Sequence, residues 1–194
     1  NNGTFLENWP VYIGAPYSFS STPSLYLNGE SSKIFTISDG KLYAFNANGE
    51  TLPDSNFPLD LFNNPQHPSI VGDLNKDGNI EIFSNGKLIN SDGILIRDFS
   101  EGYSINSEPV FGDLNKDGQL EVVYGTSFGD IFAVDYVGNI LNGWPINFVG
   151  GYAKSLIIGD INGDTFLDVI LANGNKIYAF NHEGVLIPGF PKIT

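Results

Sequence analysis

GDLNKDG stands at residues 72–78 and again, letter for letter, at residues 112–118, and a looser copy, GDINGD, begins at Gly159. Each copy continues to an acid at the ninth position counted from its first Asp: Glu81, Glu121 and Asp168. In a tight loop the side chains at positions 1, 3 and 5 converge on one point. Position 7 can add its backbone carbonyl, position 9 a carboxylate from the next strand, and a Gly at position 6 eases the turn. A plain Asx-rich turn has no use for that last acid. A hard divalent cation, which takes six to eight oxygens, does.

The reading therefore assigns three Ca²⁺ sites. The first is Asp73, Asn75, Asp77, the carbonyl of Asn79, and Glu81. The second is Asp113, Asn115, Asp117, the carbonyl of Gln119, and Glu121. The third is Asp160, Asn162, Asp164, the carbonyl of Phe166, and Asp168. In the third, Thr165 replaces the position-6 Gly, so that loop is expected to be the most strained. An EF-hand is rejected on spacing, because its position-12 Glu is here Ser84, Tyr124 and Leu171.

Outward from the loops, the chain repeats. Gly3, Gly49, Gly93, Gly138 and Gly184 recur at intervals of 44 to 46 residues, and four of the five neighbourhoods end in an aromatic residue followed by Pro. The exception is the second repeat, which shows only Asp98-Phe99. A period near 45 without helical periodicity predicts an all-β fold of β-propeller blades, each of four short antiparallel strands. In the second repeat the strands are placed at 69–72, 80–84, 87–90 and 94–99, with turns at Asn85-Gly86 and Ser91-Asp92-Gly93. The units are 1–13 (outer strand of a preceding blade), 14–60 (a degenerate repeat without the acidic loop), 61–100, 101–147 and 148–194 (three Ca²⁺-binding repeats). Four full units plus a tail read as part of a longer array or larger propeller. A compact four-bladed ring is the other arrangement.

Composition narrows the partners. A net charge of −13 argues against nucleic acid, whose phosphates need Lys and Arg. Three bound Ca²⁺ would bring it to −7, since nine of the 22 acids lie in the loops. Apolar runs of four or five residues fall far short of the ~20 that span a bilayer. The absence of Cys removes disulfides and thiolate sites, leaving the loops as the available staples. The lack of an initiating Met reads as a processed or excised chain.

Catalytic signals are weak. Gly125-Thr126-Ser127-Phe128-Gly129 matches G-x-S-x-G, but a strand, not a helix, follows it, so Ser127 is not expected to be a nucleophile. His67 and His182 read as solvent-facing, and Asn2-Gly3-Thr4 as a chance glycosylation sequon.

The strand–GD-x-N-x-D-G-x-x-E–strand unit, with VFGD at 110–113, resembles the FG-GAP/VCBS repeat, the blade type of integrin α-subunit propellers and many secreted bacterial proteins. The resemblance covers 61–194 and, in strand pattern alone, 14–60. It implies Ca²⁺ in the loop joining the first two strands of each blade. IFAVD and IYAFN are also similar to strands of quinoprotein-type propellers, but no quinone ligands are identified.

The expected function is a non-catalytic, calcium-binding module of a secreted or cell-surface protein, extracellular, mediating adhesion or binding of a protein or glycan. The candidate ligand rim lies on the inter-blade connections, opposite the metal loops. It carries Tyr17, Phe19, Gln66, His67, Tyr103 and Tyr152, with Asn63, Asn64 and Asn106 beside them. The alternatives are a structural spacer or self-associating assembly array and, further off, a domain of a secreted polysaccharide-acting enzyme.

Overall fold

A computed structural model describes residues 7–13, 22–27, 31–53, 55–61, 69–100, 104–147, 151, 153 and 155–193. It contains four four-stranded antiparallel sheets, each a meander in chain order. Blade 1 is β1 (Ser24–Tyr26), β2 (Lys33–Ser38), β3 (Lys41–Asn46) and β4 (Leu59–Asp60). Blade 2 is β5 (Ile70–Gly72), β6 (Glu81–Ser84), β7 (Lys87–Asn90) and β8 (Leu95–Asp98). Blade 3 is β9 (Val110–Gly112), β10 (Glu121–Gly125), β11 (Asp130–Val134) and β12 (Ile146–Asn147). Blade 4 is β13 (Leu156–Gly159), β14 (Asp168–Asn173), β15 (Lys176–Phe180) and β16 (Lys192–Ile193). The arrangement is propeller-like, as the repeat length required.

Alternation along each central strand fills the spaces between blades. On β6, Ile82 packs among blade 1 residues such as Phe35 and Leu42, while its neighbour Phe83 packs with Tyr124 and Val134 of blade 3. On β10, Val122 turns to blade 2 and Val123 to blade 4. The core of the described residues is thus three apolar clusters, one at each junction, so that blades 2 and 3 are buried on both faces.

Two-residue turns set the register. Asn85 and Gly86 have φ of 50° and 78°, and Asp39 and Gly40 have 51° and 73°, the left-handed pair that a tight hairpin demands. The glycine before each acidic loop has a different use. A Cβ on Gly112 would lie 2.2 Å from Ile158 Cδ1 and 2.9 Å from Leu167 Cδ1, so blade 4 packs where a side chain would stand. Gly72 meets Phe111 of blade 3 in the same way, at 3.1 Å. Gly159, on the far side of blade 4, meets nothing, and Ile157 beside it is 62% exposed. Gly112→Ala should therefore destabilise by about 1–3 kcal/mol through overpacking. Adding Ile158→Val should restore part of the loss, and thermal melts of the single and double variants check this.

Residues 7–13 form no strand. Trp9 instead donates its indole N–H to the Ala47 carbonyl in the β3–β4 turn, as Trp144 does to the His182 carbonyl in the turn following β15. The 7–13 segment thus meets blade 1 as the corner of blade 3 meets blade 4. All four aromatic–Pro bonds, at Trp9, Phe57, Trp144 and Phe190, are cis.

Candidate metal centre

The three acidic loops join the first and second strands of blades 2, 3 and 4, at the edge that also carries the turns between third and fourth strands. Their internal bonding repeats almost atom for atom. The position-9 acid opens the second strand and is buried, with Glu81 at 2%, Glu121 at 0% and Asp168 at 0% exposure. One of its oxygens accepts the position-2 N–H: Leu74 to Glu81 Oε2 at 2.9 Å, Leu114 to Glu121 Oε2 at 2.7 Å, and Ile161 to Asp168 Oδ2 at 2.9 Å.

The position-3 Asn accepts the position-5 N–H through Oδ1 and donates from Nδ2 to Oδ2 of the position-5 Asp in every loop. The position-5 Asp then accepts the position-7 N–H at 2.7–2.8 Å, from Asn79, Gln119 and Phe166. These backbone donors, first among several causes, hold the carboxyls of Asp77 and Asp164 below the usual range. The position-1 Asp takes the position-6 N–H: Gly78 to Asp73, Gly118 to Asp113 and Thr165 to Asp160.

The three loops thus share one hydrogen-bonded frame. Among the described residues, however, no three Asp, Glu or His side chains form a ready-made cage. The carboxylates spend most of their acceptor capacity on the loop's own N–H groups, which fixes the backbone into one turn. Blade 3 departs from this. Asp113 Oδ1 and Glu121 Oε1 are both buried and have no hydrogen-bond partner. Burial, backed by the charges of Asp117 and Asp113 and opposed by the Leu114 and Asn115 N–H groups, raises the Glu121 carboxyl to about 7. Burial likewise raises Glu81. A cation satisfies two orphaned carboxylate oxygens in a way that no neighbouring side chain does, and hard oxygen donors fit Ca²⁺. The donor set fits the ion.

Positions 4 and 6 of each loop require positive φ. The pairs are Lys76 and Gly78 (61° and 90°), Lys116 and Gly118 (62° and 92°), and Gly163 and Thr165 (81° and 74°). Glycine and non-glycine have exchanged places in blade 4, and a β-branched residue holds the left-handed position. That conformation costs about 1–2 kcal/mol for an L-residue, so Thr165→Gly should stabilise by about 1 kcal/mol. A melt raised by about 2–4 °C would show it.

The loops are also joints. Leu120 of blade 3 donates its N–H to the Leu74 carbonyl in the blade 2 loop at 2.8 Å. Lys116 of the blade 3 loop bonds Thr165 Oγ1 in the blade 4 loop and sits 3.9 Å over the Phe166 ring. Phe166 in turn stacks on His182, with ring centroids 4.0 Å apart. His182 is therefore half-buried against an acidic loop, not solvent-facing as its turn position implied. Sequence reading missed Lys116, Tyr136 and Trp144 because their roles depend on how closely two blades approach. Burial, then the Glu81 and Asp77 charges, raises the Tyr136 hydroxyl, with Asn75 in the neighbouring loop opposing the shift.

Ser127 lies in the β10–β11 hairpin, where its N–H donates to the Ser104 carbonyl, and no helix follows it. The rim residues Tyr17, Phe19, Gln66, His67, Tyr103 and Tyr152 lie outside the described residues. Among the described residues no helix is long and apolar enough to cross a membrane.

No protein-family model matches the chain, and no curated protein matches it. Solved structures do. The Vibrio cholerae biofilm matrix protein Bap1 is similar at 18% identity and a TM-score of 0.65, over 84% of this chain and 27% of that one. BBS1N, solved in complex with ARL6DN, is similar at 16% identity and a TM-score of 0.61, over 94% of this chain and 56% of that one. A rhamnogalacturonan lyase from Bacillus licheniformis is similar at 19% identity and a TM-score of 0.56, over 84% and 30%. The chain thus spans between about a quarter and three fifths of these neighbours, and the likeness is one of fold.

Proposed function

We propose that this chain is a non-catalytic, calcium-stiffened propeller module that binds a protein or glycan partner as part of a secreted or cell-surface protein. The observation that carries the reading is the pair of buried, unpartnered oxygens, Asp113 Oδ1 and Glu121 Oε1, in a loop whose bonding pattern is written three times. Ca²⁺ there would supply the positive charge that the loop's carboxylates lack. Asp113 and Glu121 would hold it from the two sides of the loop, with Asn115, Asp117 and the Gln119 carbonyl between them. Because Lys116 and Leu120 lie within or directly beside that loop and reach the neighbouring blades, fixing the loop fixes the junctions on either side.

Binding of a partner is supported more loosely, by the company of similar folds that includes a biofilm matrix protein. A glycan and protein array probed in Ca²⁺ and in EDTA tests it. Ca²⁺-dependent retention of a defined ligand is expected, and retention of nothing in either condition would favour the spacer reading.

A further inference from the structure

The junction between blades 2 and 3 is built differently from the others. In blades 1, 3 and 4 an aromatic–Pro corner precedes the outer strand: Phe57-Pro58 before β4, Trp144-Pro145 before β12, Phe190-Pro191 before β16. The register shows what blade 2 has lost. Arg97 pairs with Leu88 where Ile146 pairs with Ile131, and Asp98 pairs with Lys87 where Asn147 pairs with Asp130. Arg97 lies four residues after its turn glycine, Gly93, whereas Ile146 lies eight after Gly138. The four-residue corner is absent, and Phe99 follows the outer strand instead of preceding it.

A crevice of about 200 Å³ opens at that place, lined by Arg97, Phe99, Tyr124, Phe132, Val134 and Ile140 among others. An enclosed apolar cavity of about 150 Å³ holds a benzene ring, so this crevice, open to solvent and walled in part by Arg97 and Asp98, has room for one aromatic ring. Phe99, 8% exposed against Phe83 and Tyr124, packs into this junction from beyond the strand, whereas in the other junctions the ring comes from the corner before it. Trp144 is 7% exposed in the cluster between blades 3 and 4, and Phe57 packs in the cluster between blades 1 and 2. Tyr136 holds the turn position whose carbonyl, as Ala47 and His182, takes an indole N–H at the two Trp corners.

The mouth is cationic. Asp98 also lines it, but its carboxylate is occupied by Lys87 on one oxygen and Ser100 on the other. Arg97 is exposed and has no ion-pair partner among the described residues, in a chain of net charge −13.

From this we infer that the blade 2–3 crevice is a docking slot for an aromatic side chain of a partner polypeptide, presented in an aromatic–Pro turn with a carboxylate for Arg97. The inference deepens the binding-module reading above, and in that sense rests on it, but it does not depend on the metal.

The probe is the capped peptide Asp-Gly-Trp-Pro, titrated into the whole ¹⁵N-labelled chain in Ca²⁺. Saturable amide shifts are expected at Gly138, Val134 and Ile140. Replacing the peptide's Trp by Ala should weaken binding at least about tenfold, as loss of a buried aromatic anchor does. Arg97→Ala should weaken it several-fold and abolish the preference for the acidic peptide over its Asn-Gly-Trp-Pro counterpart. Ile140→Trp, at a position 49% exposed, fills the slot from within and should block binding while leaving the melt unchanged. The inference is overturned by non-saturating shifts, by equal binding of the Ala peptide, or by binding that survives Ile140→Trp. It is also overturned if an oligouronate, and not the peptide, moves these amides. A melt in EDTA run in parallel reports separately on the metal, so failure of the slot and failure of the calcium reading are distinguishable.

Discussion

Adding millimolar CaCl₂ to the EDTA-treated protein should raise its melting temperature by on the order of 10–30 °C. Sites of this kind outside cells bind at about 10⁻⁴–10⁻³ M, so ~10 mM Ca²⁺ stands ten- to a hundred-fold above the dissociation constant. Ligand bound to the folded state alone then contributes about 1.4–2.7 kcal/mol per site. In a chain of this size each kcal/mol moves the midpoint by about 2–4 °C. Three loops acting together reach the stated range, and one loop alone gives less than half of it. Mg²⁺ at the same concentration should do much less, because it demands near-octahedral geometry and gives up its water reluctantly. A melt indifferent to Ca²⁺ would leave the loops as hydrogen-bonded turns and remove the metal from the account. Asp73→Ala and Asp113→Ala should each forfeit about a third of the rise. Asp113→Ala should show the larger loss, since only its loop also holds two unpartnered buried carboxylate oxygens.

The effect of calcium on the junctions follows from where the loops sit. Leu74 and Leu114, second in their loops, are fully buried in the clusters shared with the next blade, whereas Ile161, second in the blade 4 loop, is 49% exposed. The blade 2 and 3 loops are therefore part of the inter-blade packing and the blade 4 loop is not. Losing the metal from the first two should loosen both a loop and a junction. Loss from the third should loosen the loop alone.

Much of this was legible in the residues. Alternating apolar positions and Asn-Gly turns placed the strands of blade 2 within about one residue of their observed ends, because a sheet buried on both faces leaves little freedom of register. The loops were legible for a similar reason: an acidic turn of fixed spacing is a local pattern of carboxylates, Asn and Gly. What could not be read was distance between blades. Nothing local to Lys116 says that it reaches Thr165, 49 residues on, or that His182 lies flat on Phe166. The missing corner of blade 2 was visible as a broken aromatic–Pro pattern. Its consequence, an open crevice, needed the strand register to show that Phe99 does not stand where Trp144 does.

Glu121→Gln should stabilise the protein without calcium and lose most or all of that advantage with it. In EDTA the wild-type protein buries a carboxylate whose Oε2 accepts from Leu114 and Asn115 but whose Oε1 accepts from nothing, beside the charges of Asp113 and Asp117. Glutamine keeps a carbonyl oxygen for the Leu114 N–H and removes the buried charge. Its amide N–H groups enter the loop that holds Asp113 Oδ1, an acceptor without a donor. The variant should then be more stable than wild type by about 1–3 kcal/mol, the cost of an unsatisfied buried polar group, and melt above it. In ~10 mM Ca²⁺ that advantage should shrink to nothing or reverse, because the variant has lost a charged ligand and with it most of the ~1.4–2.7 kcal/mol that one site supplies. A turn that never binds metal gives the same difference in both buffers. A site that does must give a smaller or inverted difference in Ca²⁺, and paired melts of the two proteins decide between them.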